Sequence, residues 1–218
     1  MGFIFDFDTR QVITPITFND VNSIRRFPIP KIIPQNISIN KLNNVMIFDL
    51  EPLHETVHNI KNNKFFIPNI REFSYIHIPG NFKNVNINDI SQFEQKTIYL
   101  THDYPTIIEE FCTIYTKLKY PYIIAHNGSK FDFLIIIAHI YRYLKNRSIL
   151  KNLKFFDSYI FVKKLKIINA SNGDLFKTYI KHYNQYADLL NHQHNSLPDC
   201  QMLLLWFSVI INKYSKFL

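Results

Sequence analysis

The sequence predicts an α/β fold, a mixed central β-sheet flanked by helices. Three observations carry that prediction. The chain has 218 residues, 47% of them apolar and 19% charged, which suits one well-packed domain and neither a disordered chain nor two full-sized domains. From Val45 the first regular runs are strand-like. After them strand-like and helix-like runs alternate, the order that builds layered sheet-and-helix folds.

Residues 1–43 read as an N-terminal arm or extension, and residues 44–218 as the domain. In the arm, FPIPKIIPQ holds the backbone extended at Pro28, Pro30 and Pro34. NVMIFDLE, residues 44–51, is rich in β-branched and aromatic residues and reads as a strand. A second strand is expected at 70–78 (IREFSYIHI) and a third near 97–101. Residues 105–119 read as a helix, with Pro105 in its first turn and acids ahead of lysines. PYIIAHN, residues 121–127, is a short apolar strand stopped by Asn127-Gly128, and 131–144 a helix. Residues 153–158 form a strand whose Asp157 or Ser158 caps a helix to about 165. Further helices are expected at 175–183 and from Pro198 to about Tyr214.

The formal charge of +8 favours polyanions, nucleic acid or an anionic surface, although lysine-rich composition gives the same number without a ligand. Two cysteines, Cys112 and Cys200, make no disulfide framework and no zinc spacing, so a reducing intracellular compartment, cytoplasmic or nuclear, is expected. The opening MGFIFDFDTR has acids where a signal peptide is basic, and Asp6 breaks the myristoylation pattern. The apolar runs at 133–138 and 202–211 are too short to span a bilayer, so no membrane partner is expected.

The chemistry lies in the carboxylates. Two residues apart on a strand, Asp49 and Glu51 share the face of Val45 and Ile47. Two like charges there cost several kcal/mol unless a cation compensates or the strand has already ended in solvent. Asp132 opens its helix in line with Ile135, Ile136 and His139, a buried stripe. Asp199 stands in the first turn of the last helix, in line with Leu203, Phe207 and Ile210. Each helical acid alone could be there for the helix dipole, and it is their agreement that points to a shared site. Hard divalent cations want such oxygen ligands, and a pair of them serves phosphodiester hydrolysis. His194, on the loop entering the last helix, is the candidate general base, imidazole being the side chain most often used to take up a proton near neutrality, and His192 is its local rival.

These segments, IFDLE, HNGSKFD and HNSLPD, resemble in order and spacing the three motifs of the DEDDh exonucleases, which share the RNase H-like fold. The resemblance covers about Val45 to Tyr214. It implies a three-layer RNase H-like fold and hydrolysis of the terminal phosphodiester at a 3′ end of DNA or RNA, releasing nucleoside monophosphates. It implies two Mg²⁺ or Mn²⁺ held by Asp49, Glu51, Asp132 and Asp199, with His194 deprotonating the attacking water. Leu50, Asn127 and Phe131 would meet the terminal nucleotide, with plain core packing the equal alternative for Phe131. Pro52 stands where the family usually has Thr, and HETVHNIKNNKFF exceeds a typical turn before the second strand. Asn195, four before Asp199, argues against the tyrosine-dependent sister group.

Alternatives are a non-catalytic RNase H-like nucleic-acid-binding module and an endonuclease on the same fold. Asp6 and Asp8 resemble a haloacid dehalogenase phosphatase motif, but Thr9 sits one position early, and an edge strand with solvated acids fits them better. Asp157 and Asp188 read as a cap and a loop acid. Lys130, Lys154, Lys163, Lys164 and Lys166 flank the site segments and suit either phosphate contacts or solvated faces.

Overall fold

The computed structural model describes residues 2–16, 42–53, 57–61, 64–100 and 104–214. Its strands, in chain order, are β1 (Gly2–Asp6), β2 (Gln11–Ile16), β3 (Asn43–Pro52), β4 (His58–Lys61), β5 (Lys64–Pro68), β6 (Ile70–Asn81), β7 (Glu94–Tyr99), β8 (Tyr122–Ala125) and β9 (Lys154–Asp157). Its helices are α1 (Tyr104–Lys117), α2 (Asp132–Tyr143), α3 (Ser158–Lys164), α4 (Asn172–Ile180) and α5 (Ser196–Tyr214).

The central sheet has five strands in the order β7-β6-β3-β8-β9. β6 runs antiparallel to both β3 and β7, whereas β3, β8 and β9 are parallel. Alternation along β3 sorts its side chains between two cores. Met46, Phe48 and Leu50 join Ile108, Phe111 and Tyr115 of α1 and the α2 residues Ile135 and Ile136. Val45 and Ile47 join Leu203, Trp206 and Phe207 of α5 on the other face. Helices thus cover both faces, which is why these strands read as nearly continuous apolar runs.

A second sheet, β2-β1-β5-β4, is antiparallel throughout and lies against α2. Phe3 and Phe5 of β1 are fully buried, and their rings meet His139 (centroids 5.1 Å apart) and Tyr141 (5.4 Å) of α2. Residues 2–6, read from sequence as part of an arm, are therefore built into the core, whereas residues 8–13 are exposed. The proline-rich stretch of that arm lies outside the described residues. β1 is an inner strand, not an edge, and Asp6 closes it with a turn, its Oδ1 accepting from the amides of Asp8 (2.9 Å) and Thr9 (3.1 Å). The long segment after β3 supplies β4 and β5, so it is a hairpin and not an extended turn.

The expected elements of the central domain are present with shifted ends. β7 begins three residues earlier than its expected start near 97. α4 starts at Asn172, because Ser171 caps it by accepting from the Asp174 amide (3.2 Å). α5 starts at Ser196, two residues before Pro198, and the Asp199 amide bonds the Asn195 carbonyl (3.1 Å). Among the described residues no helix is long and apolar enough to cross a membrane.

Candidate metal and nucleic-acid site

The C-terminal ends of β3 and β8 open into a cleft of about 760 Å³. All five expected catalytic side chains line it: Asp49 and Glu51 from β3, Asp132 from the start of α2, Asp199 from the first turn of α5, and His194 from the preceding loop. Leu50, Asn127 and Phe131 line it as well.

The register of β3 puts Asp49 and Glu51 on the α5 side, as alternation requires. Asp132 reaches the same place from the α2 side. It is 3% exposed, and its Oδ1 accepts from the Leu50 amide at 3.2 Å. Asp199 Oδ2 accepts from the His194 amide at 3.0 Å, which folds the loop back over the helix end. His194 takes positive φ (66°) to do so. A ligand atom from each of Glu51, His194 and Asp199 lies within 4.8 Å of the others, a spacing one cation can span.

The electrostatics are those of an uncompensated cluster. Burial raises the Asp49 carboxyl well above its ordinary pKa, and the charges of Asp132, Asp199, Glu51 and Glu72 push it further. Burial lifts Asp132 to about 8 and Glu51 to about 7; for Glu51 the neighbouring Asp199 adds to this while Arg71 opposes it. Asp199 is raised by burial against the opposing bond from His194. Asp49 Oδ2 is shut off from solvent and has no hydrogen-bond partner. A buried orphan oxygen costs about 1–3 kcal/mol, so it calls for a partner. Oxygen donors from four carboxylates are the set that hard divalent cations take, and the residues therefore fit such a cation.

Glu72, Arg71, Ser74, Thr97 and Asn172 support the site and gave no sequence signal. Glu72 of β6 is 7% exposed, and its Oε1 accepts from both the amide (3.1 Å) and the hydroxyl (2.9 Å) of Ser196. Ser196 continues through Ser74 to Thr97 by two 2.7 Å hydroxyl contacts. The adjacent Arg71 donates to the His194 carbonyl at 3.5 Å. β6 thereby fixes the loop that carries His194. Asn172 bridges Trp206 Nε1 (2.7 Å) and the Asp199 carbonyl (3.1 Å), holding the start of α5. Covered on both faces, β6 has no alternation by which a buried glutamate would stand out.

The remaining expected residues fall as follows. Leu50 is 1% exposed, so its side chain belongs mainly to the core beneath the cleft. Phe131 is half-buried at the N-terminus of α2. Asn127 sits at φ 63° on the turn after β8. Gly128 follows it, and any Cβ there would lie 2.6 Å from the Phe133 ring. His126 is locked by Ala170 O (2.7 Å) and Ser158 Oγ (3.0 Å), and burial lowers its pKa to about 4. His192 turns to Asp188 (3.2 Å), leaving His194 as the imidazole at the acids.

The sheet order and flanking layers decide the architecture. The fold is RNase H-like. Among solved structures the chain is similar to the zinc-bound form of the E. coli ExoI–single-stranded DNA complex, with a TM-score of 0.51 and 11% identity. The match covers 81% of this chain and 42% of that one, so this protein spans well under half of its neighbour's length. No family model matches the sequence, and no curated protein matches it.

Proposed function

We propose that the protein is a metal-dependent 3′-to-5′ exonuclease of the DEDDh type. It would hydrolyse the terminal phosphodiester of DNA or RNA and release nucleoside monophosphates. One observation carries the reading: four carboxylates and an imidazole from distant segments line one cleft, with Asp49 Oδ2 buried and unpartnered. The +8 charge supports a polyanionic substrate, as does a structural neighbour complexed with single-stranded DNA and zinc. The exonuclease domain would occupy residues 44–218, with residues 1–43 an extension that lends β1 and β2 to the second sheet.

Asp49, Glu51, Asp132 and Asp199 would hold two Mg²⁺ or Mn²⁺. When bound, such ions polarise the phosphodiester and acidify the attacking water. His194, exposed at the mouth, takes up that water's proton on a ring nitrogen and hands it to solvent. The bond from its own amide to Asp199 ties its position to the carboxylates. Phe131 and Asn127 border the space for the terminal nucleotide, and Leu50 forms its floor.

The test is digestion of end-labelled DNA and RNA oligomers, free or blocked at the 3′ end, with and without Mg²⁺. The reading expects Mg²⁺-dependent release of mononucleotides from free ends only. Equal degradation of 3′-blocked strands would reject the polarity.

A further inference from the structure

We propose that a groove beside the cleft, built around Tyr159, receives the nucleotides upstream of the scissile one and sets how strongly a longer strand is held. The strand direction rests on the nuclease reading; the binding itself does not.

Two cavities meet at this point. The carboxylate cleft shares Asn127, Tyr159 and Lys163 with a second groove of about 370 Å³, which Lys130 and Lys164 also line. Tyr159 is half-buried, its ring edge-on to His126 with centroids 5.7 Å apart. Two exposed ammonium groups converge on that ring from different elements. Lys130 Nζ, on the turn before α2, lies 5.7 Å from the ring centroid, and Lys163 Nζ, in the last turn of α3, lies 5.5 Å away. The carboxylate in the groove, Asp157, is 3% exposed and engaged by backbone amides. Ile168, at the cleft, is 85% exposed and offers a further apolar contact.

A polynucleotide alternates a flat base with an anionic phosphate, and an aromatic face flanked by cations matches that alternation. Continuity with the cleft selects a strand whose end already lies among the acids. Bases must be unpaired to reach Tyr159, so the groove fits a single-stranded segment. Lys154 makes the contrast. It stands at the other end of β9, its Nζ 3.1 Å from Tyr120 O and 5.2 Å from the Tyr122 ring, and lines neither cavity.

The experiment is fluorescence anisotropy of labelled single-stranded oligonucleotides, from dinucleotide to octanucleotide, at fixed low salt with Ca²⁺ replacing Mg²⁺. Wild-type affinity should tighten on the order of tenfold or more with length. The double variant Lys130→Glu/Lys163→Glu should lose most of that gain. Tyr159→Ala should lose it with the charges intact, and Lys154→Glu should keep it. Retention of the gain by the double variant overturns the proposal, as does an equal loss in Lys154→Glu. Competition by a polyglutamate peptide as strong as by an oligonucleotide also overturns it, in favour of an acidic-peptide site. Length-dependent binding without Mg²⁺-dependent cleavage of any oligomer would remove the nuclease reading and leave the groove. Cleavage without length dependence would do the reverse.

Discussion

Asp49 and Asp157 lie near the C-terminal ends of two strands of the same sheet, with only β8 between them, yet their surroundings are opposite. The Asp157 carboxylate accepts from four backbone amides, those of Asn127 (3.1 Å), Ser129 (2.9 Å), Tyr159 (2.9 Å) and Ile160 (3.3 Å). It caps α3 and latches the turn after β8 to β9. Asp49 has an orphaned oxygen and faces three other acids of the cleft, with Glu72 behind. A charge met by amide dipoles is part of the scaffold; a charge met by like charges is held for a ligand. Both acids follow apolar runs in the sequence, so only their partners distinguish them.

The sharpest test of that contrast is to remove each carboxylate in turn. Asp49→Ala should cut Mg²⁺-dependent hydrolysis by roughly 10³-fold or more, at least the scale of deleting one electrostatic group from an active site. Its metal-free melting temperature should hold or rise, because a buried carboxyl with an unpartnered oxygen is gone. Asp157→Ala should lower unfolding free energy by about 2–4 kcal/mol in denaturant titrations, the loss of a cap plus abandoned amides. If Asp49→Ala destabilised the fold as much, Asp49 would belong to the scaffold too.

The pH dependence has a definite sign. Glu51 rises from an ordinary 4.5 to about 7, and Asp132 from 3.8 to about 8, mainly through burial. The folded state then binds more protons than the unfolded state between about pH 4 and 8. Metal-free stability should be full below that window and decline as pH rises through it. Saturating Mg²⁺ should flatten the decline, since the cation takes the proton's place. Thermal melts across pH, with and without Mg²⁺, read this directly, and a metal-free stability that climbed from pH 5 to 8 would contradict it.

The smallest expected effect lies behind the site. Glu72→Ala leaves the Ser196 amide and hydroxyl without their acceptor, which should loosen the His194 loop and lower kcat about tenfold. Glu72→Gln keeps an acceptor oxygen and should restore most of the rate. Equal loss in both variants would show that the negative charge, not the hydrogen bond, is what matters.

Much of this was legible in the sequence where structure is local. The four cleft acids stood out because strand alternation and helical spacing each put acids on apolar faces, and His194 stood out by its place on the loop before Asp199 and by the motif resemblance. Asp157 was readable as a cap because Ser158 and the helix follow it directly. The second sheet was not readable. β1 pairs with β5 across some sixty residues, a contact that no periodicity announces, and β4 is only four residues long. The helix expected at 175–183 begins three residues earlier, at Asn172, because the Ser171 side chain caps it there. Glu72 was invisible because its role depends on Ser196, more than a hundred residues away.

The most direct measurement is a calorimetric titration of the metal-free protein with Mn²⁺, run beside Asp49→Ala and Asp157→Ala. The account predicts saturable binding by the wild type, affinity that strengthens from pH 6 to 8, near-complete loss in Asp49→Ala and retention in folded Asp157→Ala. Binding that survives Asp49→Ala unchanged, or no saturable binding to the wild type, would contradict the claim that these carboxylates are held apart for a divalent ion.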